Sequence, residues 1–207
     1  KIAIIFLLTA ATIVFEISLS RLFSYLLSFH FVLIIIAFSI LGLGIGQITY
    51  AKYSKMINHS WLWWMALPSV TMFLSFALLL SLSQLGVSSS TDFGLPIFIF
   101  LSTIPFMAIG IVYAHIFETD NRHLSTLYAL DLIGAATGAL TSVFLLNTFG
   151  LAQVVAIAIG LLLLALVVAL IAHKNRYSKI LAPLVLGVIF LMGFAKDALN
   201  FTIPVAK

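Results

Sequence analysis

The chain has 207 residues, 63% hydrophobic and 8% charged, with no cysteine, a formal net charge of +4 and a mean hydropathy of +1.26. Soluble domains carry about 25% charged residues, so this chain cannot cover a water-facing surface, and lipid is its expected solvent. The few basic residues form no stripe with interleaved aromatics, which excludes a nucleic-acid footprint, and the lack of cysteine removes disulfides, thiolate chemistry and cysteine metal sites.

A helix that crosses a bilayer needs about 20 largely apolar residues. The first such run covers residues 2–27 and carries Glu16 and Arg21. It is too long for a signal peptide and shows no small-residue cleavage site, so it reads as a retained helix. The second, 29–50, ends in a glycine cluster, and Lys52, Lys55, Asn58 and His59 then read as a polar loop. The third, 61–82, opens with Trp61, Trp63 and Trp64, the composition of an interfacial aromatic belt. A serine-rich loop leads to the fourth, 93–117, where Pro105 removes a backbone donor and is expected to kink the helix. The fifth, 124–149, turns at Gly150 into the sixth, 151–172, and a basic stretch precedes a short seventh candidate, 180–195. The expected fold is an all-α polytopic bundle of about seven helices in a single domain.

Alternating loops place Lys1, Lys52, Lys55, Arg122, Lys174, Arg176 and Lys179, 7 of the 10 basic residues, on one side. The positive-inside rule makes that side, and the amino end with it, cytoplasmic. One weak internal echo is present. The second and fifth helices are both glycine-rich and three spans apart, and an odd spacing would make any such repeat inverted across the bilayer.

Three ionisable residues sit inside apolar spans: Glu16, Arg21 and Asp131. A charge at the centre of a membrane helix costs roughly 2.5–3.5 kcal/mol on insertion scales, so such groups face protein or water. Glu16 and Arg21 are about 140° apart around their helix and do not share a face, which makes Asp131 the obvious partner for Arg21. Three readings stay open: a structural ion pair that fixes helix packing, a polar cavity that binds a cation or relays a proton, and a carboxyl held neutral. Tyr128 and Gln47 are candidate hydrogen-bonding neighbours of this polar centre. Gly42 and Gly46, and likewise Gly134 and Gly138, form small-xxx-small faces suited to close helix approach. His115, Glu118, Asp120 and His123 cluster near one loop without a zinc signature, so no metal or cofactor is expected. No nucleophile–base arrangement stands out, and no segment is long enough for a nucleotide-binding fold.

Four stretches carry a family resemblance: Phe15-Glu-Ile-Ser-Leu-Ser-Arg21, Leu41-Gly-Leu-Gly-Ile-Gly46, Ile104-Pro-Phe-Met-Ala-Ile-Gly110, and the segment that runs from Tyr128-Ala-Leu-Asp131 to Leu140. In order and spacing they resemble the membrane domain of integral-membrane spermidine synthase-like proteins, the polyamine aminopropyltransferase family. The resemblance implies a multi-helix module of a bacterial inner membrane, often followed by a Rossmann-like transferase domain that this chain does not contain. Aminopropyl transfer is therefore not assigned to these residues. The expected function is a binding, transport or scaffold unit with a polar intramembrane centre. Its partners would be the lipid bilayer, a cationic small molecule such as a polyamine, and a partner subunit or fused soluble domain. The alternatives are the membrane part of a transferase and a half-transporter.

Overall fold

The computed structural model describes residues 2–26, 32–85 and 94–172. They form six helices: α1 (Ile2–Leu26), α2 (Val32–His59), α3 (Trp61–Gln84), α4 (Gly94–Thr119), α5 (Leu124–Thr148) and α6 (Leu151–Ala172). A single 3-10 turn, Asn121–His123, joins α4 to α5. All six helices are long and apolar enough to cross a membrane, and no strand occurs among the described residues. The described residues thus form an all-α bundle with the character of an integral membrane protein, with six spans rather than about seven. The expected seventh segment, 180–195, lies outside the described residues.

Helices α1 and α4 form the centre. Their aromatic residues meet directly, with Phe15 5.9 Å from Phe106 and Phe23 edge-on to Phe98. Helix α1 also packs on α5, α6 and α2, helix α4 on α2 and α3, and α3 closes against α6. The burial of α1 matches its central place: Ile4, Ile5, Leu8, Ala11, Val14, Phe15, Leu19 and Leu22 point in several directions and are all inside. Helix α5 is the opposite case. Only a narrow stripe, Leu127, Gly134, Gly138, Ser142 and Leu146, is buried, while Leu140 and Phe144 point outward into what would be lipid.

The two outer helices approach their neighbours through glycine. A Cβ placed on Gly42 would lie 2.9 Å from both the Thr103 carbonyl oxygen and Phe106 Cβ on α4. One on Gly46 would run into the Met107 carbonyl oxygen, and Gly110 in turn seats the Leu43 carbonyl oxygen of α2. On the other flank, a Cβ on Gly134 would lie 2.8 Å from the Phe6 carbonyl oxygen of α1, and one on Gly138 2.8 Å from that of Ala10. Backbones this close gain dispersion contacts and Cα–H···O contacts that a bulky interface would forfeit.

One local expectation is corrected. The polar stretch after Tyr50 is not a loop: α2 continues to His59, broken only at Tyr53, whose φ of −116° and ψ of 22° leave the helical region. The segment holds neither glycine nor proline, and it is anchored by burial of Tyr50 and Ile57 against Ile111, Trp64 and Ala114. Ser60 then makes the turn, accepting the Trp63 amide at 2.9 Å. The three tryptophans at the start of α3 differ in their surroundings. Trp63 is exposed, but Trp61 stacks on His115 with ring centres 3.7 Å apart, and Trp64 packs on the Tyr50 cluster.

Pro105 lies inside α4 and leaves the Leu101 carbonyl without its usual partner four residues on. The Ser75 hydroxyl of α3 donates to that oxygen at 2.6 Å. In lipid no water would do so, which is why a neighbouring helix must. Among the described residues, no buried side-chain nitrogen or oxygen lacks a hydrogen-bond partner.

Candidate functional site

A cavity of about 470 Å³ opens between the outer helices α2 and α5, floored by α1 and α4. Helix α1 contributes Thr9, Thr12, Ile13 and Glu16, whose spacings of three, four and seven residues put them on one face. Tyr113, Ala114 and Phe117 come from α4, Leu43 and Gln47 from α2, and Asp131 and Ala135 from α5. The alanines leave the volume open, and the apolar members hold the walls.

Asp131 is gripped by two hydroxyls from different helices. Thr9 Oγ1 lies 2.6 Å from Asp131 Oδ1, Tyr113 Oη 3.1 Å from the same oxygen, and the two hydroxyls are 2.5 Å apart. Thr9 also reaches its own helix at the Ile5 carbonyl, 2.8 Å away. Two hydroxyl protons therefore serve this set: Tyr113 donates to Thr9 or Asp131, and Thr9 to Asp131 or Ile5. The arrangement fixes one oxygen of Asp131 with hydroxyls from two helices and supplies no positive charge. Glu16 is held more lightly. Ser39 Oγ of α2 donates to Glu16 Oε1 at 2.9 Å, but the same single proton also faces the Ile36 carbonyl at 2.8 Å.

Arg21 is not the partner of Asp131. Asp131 sits against Thr9, and the twelve residues from Thr9 to Arg21 span about 18 Å along α1 at 1.5 Å per residue, beyond the reach of any side-chain pair. Tyr128, one turn before Asp131, is 59% exposed and lines no part of the cavity. The structure thus brings Glu16, Asp131 and Gln47 to one cavity and leaves Arg21 and Tyr128 out. Gly42, Gly46, Gly134 and Gly138 lie at the α2–α4 and α1–α5 contacts that set the cavity's walls.

Sequence reasoning missed Thr9, Tyr113 and Ser39. Isolated hydroxyls are common in apolar helices and most of them here simply bond back to their own backbone, as Thr12 does to Leu8 and Ser18 to Val14. A two-turn stripe of Thr9, Thr12 and Glu16 was the available signal. A second polar knot was also unforeseen: His115 Nδ1 lies 2.8 Å from Asn58 Oδ1, and Tyr50 Oη donates to the same oxygen at 3.0 Å. With Trp61 stacked on its ring, His115 ties α2, α3 and α4 together. His123 turns elsewhere, to Asp120 Oδ1 at 3.0 Å, and no group of three potential metal ligands occurs among the described residues.

No protein-family model matches the chain, and no curated protein or solved structure matches it.

Proposed function

We propose that this protein is a membrane module that binds a small organic cation in the groove between α2 and α5. The observation that carries the reading is the convergence of Glu16 and Asp131 on one cavity whose lining includes no lysine or arginine. Carboxylates in a low-dielectric site are costly unless paired or richly hydrogen-bonded, and here they are met by neutral hydroxyls alone. A cationic ligand completes the electrostatics. Gln47 offers an amide for a second polar contact, and Phe117 and Tyr113 offer aromatic faces that favour a cation. A volume of about 470 Å³ lies within the range of small-molecule sites.

The resemblance to spermidine synthase-like membrane domains favours a polyamine, whose separated ammonium groups suit two carboxylates. Glu16 lies seven residues from Thr9, which holds Asp131, so the two acids are separated by about 10 Å along α1. The groove then opens toward the side that carries the α4–α5 turn, Lys52, Lys55 and Arg122, cytoplasmic by its positive charge.

The test is binding of radiolabelled spermidine to the purified chain in lipid nanodiscs. Glu16→Gln and Asp131→Asn should each weaken it by about 1.5–3 kcal/mol, the value of a charge-assisted hydrogen bond, or roughly tenfold to hundredfold. Thermal unfolding run in parallel checks that the variants are folded. Equal binding by the native chain and the folded double variant refutes the assignment.

A further inference from the structure

The bundle repeats itself. Exchange α1 with α4, α2 with α5 and α3 with α6, and the major contacts map onto one another: α2 on α4 becomes α5 on α1, α3 on α4 becomes α6 on α1, and α3 on α6 maps onto itself. The correspondence extends to atoms. Gly42 and Gly46 correspond to Gly134 and Gly138, each 92 positions on, and Phe6, Thr9 and Ala10 to Thr103, Phe106 and Met107, each 97 positions on. Gly42 faces the Thr103 carbonyl oxygen and Phe106 Cβ, while Gly134 faces the Phe6 carbonyl oxygen and Thr9 Cβ. Gly46 faces the Met107 carbonyl oxygen, while Gly138 faces that of Ala10.

The same two offsets carry the polar groups. Glu16 falls on Tyr113 and Ser39 on Asp131, so the Ser39–Glu16 hydrogen bond between α2 and α1 is the counterpart of the Tyr113–Asp131 bond between α5 and α4. Leu43 and Ala135, on opposite walls, also exchange. The cavity therefore surrounds the relating axis. Successive spans alternate in direction, so halves three spans apart run oppositely and the axis lies in the membrane plane.

The symmetry is broken in one respect. Helix α2 packs along α1, but α5 makes no comparable packing on α4. The cavity reaches into that gap: Thr9 in the first half of α1, Phe117 near the end of α4 and Asp131 near the start of α5 line it and all lie toward the face of the α4–α5 turn. On the opposite side of the cavity α2 packs on α1.

We propose that helices α1–α3 and α4–α6 are inverted halves that exchange conformations, so that the groove opens alternately to the two faces and carries its cation across the bilayer. In the exchanged state α5 packs on α4 and α2 stands off α1. The 97-position offset then brings Ser20 to the place Phe117 now takes, and Ile17 to that of Ala114. Glu16, Tyr113, Leu43 and Ala135 line the cavity in both states. This inference rests on the cation-binding reading for its cargo and on the packing alone for its motion.

The experiment uses the full chain in proteoliposomes. Counterflow of radiolabelled spermidine into vesicles preloaded with unlabelled spermidine should exceed that of protein-free vesicles. The chain has no native cysteine, so Phe117→Cys and Ser20→Cys report directly with a membrane-impermeant maleimide. They should label from opposite faces of the same membrane. A chain that binds spermidine, shows no counterflow and labels Ser20→Cys from neither face overturns the exchange and leaves the binding site standing. Labelling from opposite faces without spermidine binding or flux overturns the cation as cargo. Counterflow by the unsubstituted chain decides the matter should a cysteine variant fail to fold.

Discussion

The glycines of α2 offer a sharp test because three of them share one stretch of helix and only two meet α4. An added Cβ at Gly44 has nothing within 4 Å. Gly44→Ala should therefore be neutral or stabilise the chain by about 0.5–1 kcal/mol, the usual gain of alanine over glycine in a helix interior. At Gly46 the same methyl group meets the Met107 carbonyl oxygen head-on, with Gly110 Cα and Ile111 N each at 3.0 Å, and all three are backbone atoms that cannot rotate away. Helix α2 must move off α4. A gap of 0.5–1 Å already loses about a quarter to a half of each dispersion contact, and overpacking of this kind costs about 1–3 kcal/mol. Gly138→Ala is the intermediate case, since its Cβ would stand 2.8 Å from the Ala10 carbonyl oxygen where ordinary contact begins at 3.4 Å. Equilibrium unfolding in mixed micelles, followed by tryptophan fluorescence, measures all three. Effects of the same sign and size at Gly44 and Gly46 would refute the claim that close α2–α4 approach, rather than glycine's effect on the helix itself, makes these residues matter.

Ser75→Ala should destabilise the chain by about 1–3 kcal/mol, because it strands the carbonyl that Pro105 leaves open, and Pro105→Ala in the same background should restore most of the loss, as read by the same unfolding assay. Thr9→Val and Tyr113→Phe should each weaken spermidine binding, and a double-mutant cycle with Asp131→Asn should show coupling of about 0.5–3 kcal/mol, since all three groups share two protons; strict additivity would mean that the hydroxyls do not hold Asp131. Arg21→Gln should leave spermidine affinity unchanged, and a tenfold loss would restore Arg21 to the polar centre. Trp61→Ala should lower stability by about 1–3 kcal/mol through lost stacking on His115, measured by thermal unfolding.

Much of this protein is written locally. Six runs long and apolar enough to span a bilayer, the burial problem posed by Glu16 and Asp131, and the spacing of Gly42, Gly46, Gly134 and Gly138 all follow from composition and helical period, because lipid obliges each span to satisfy its own backbone. The polar stretch 52–59 misled because charge suggests a loop, whereas helix ends near a membrane surface tolerate charge and the helix was held by Tyr50, Ile57 and Asn58 from outside its own turn. Which acid meets which partner was settled only by packing. Arg21 and Asp131 are complementary in charge, yet the rise of α1 keeps them apart, while Thr9 and Tyr113, unremarkable as letters, arrive at Asp131 from two helices. The repeat is the same case at larger scale: its halves share few residues, so its equivalence lies in the atoms that the glycines face and in the exchange of a carboxylate for a hydroxyl, quantities that exist only once the helices are in contact.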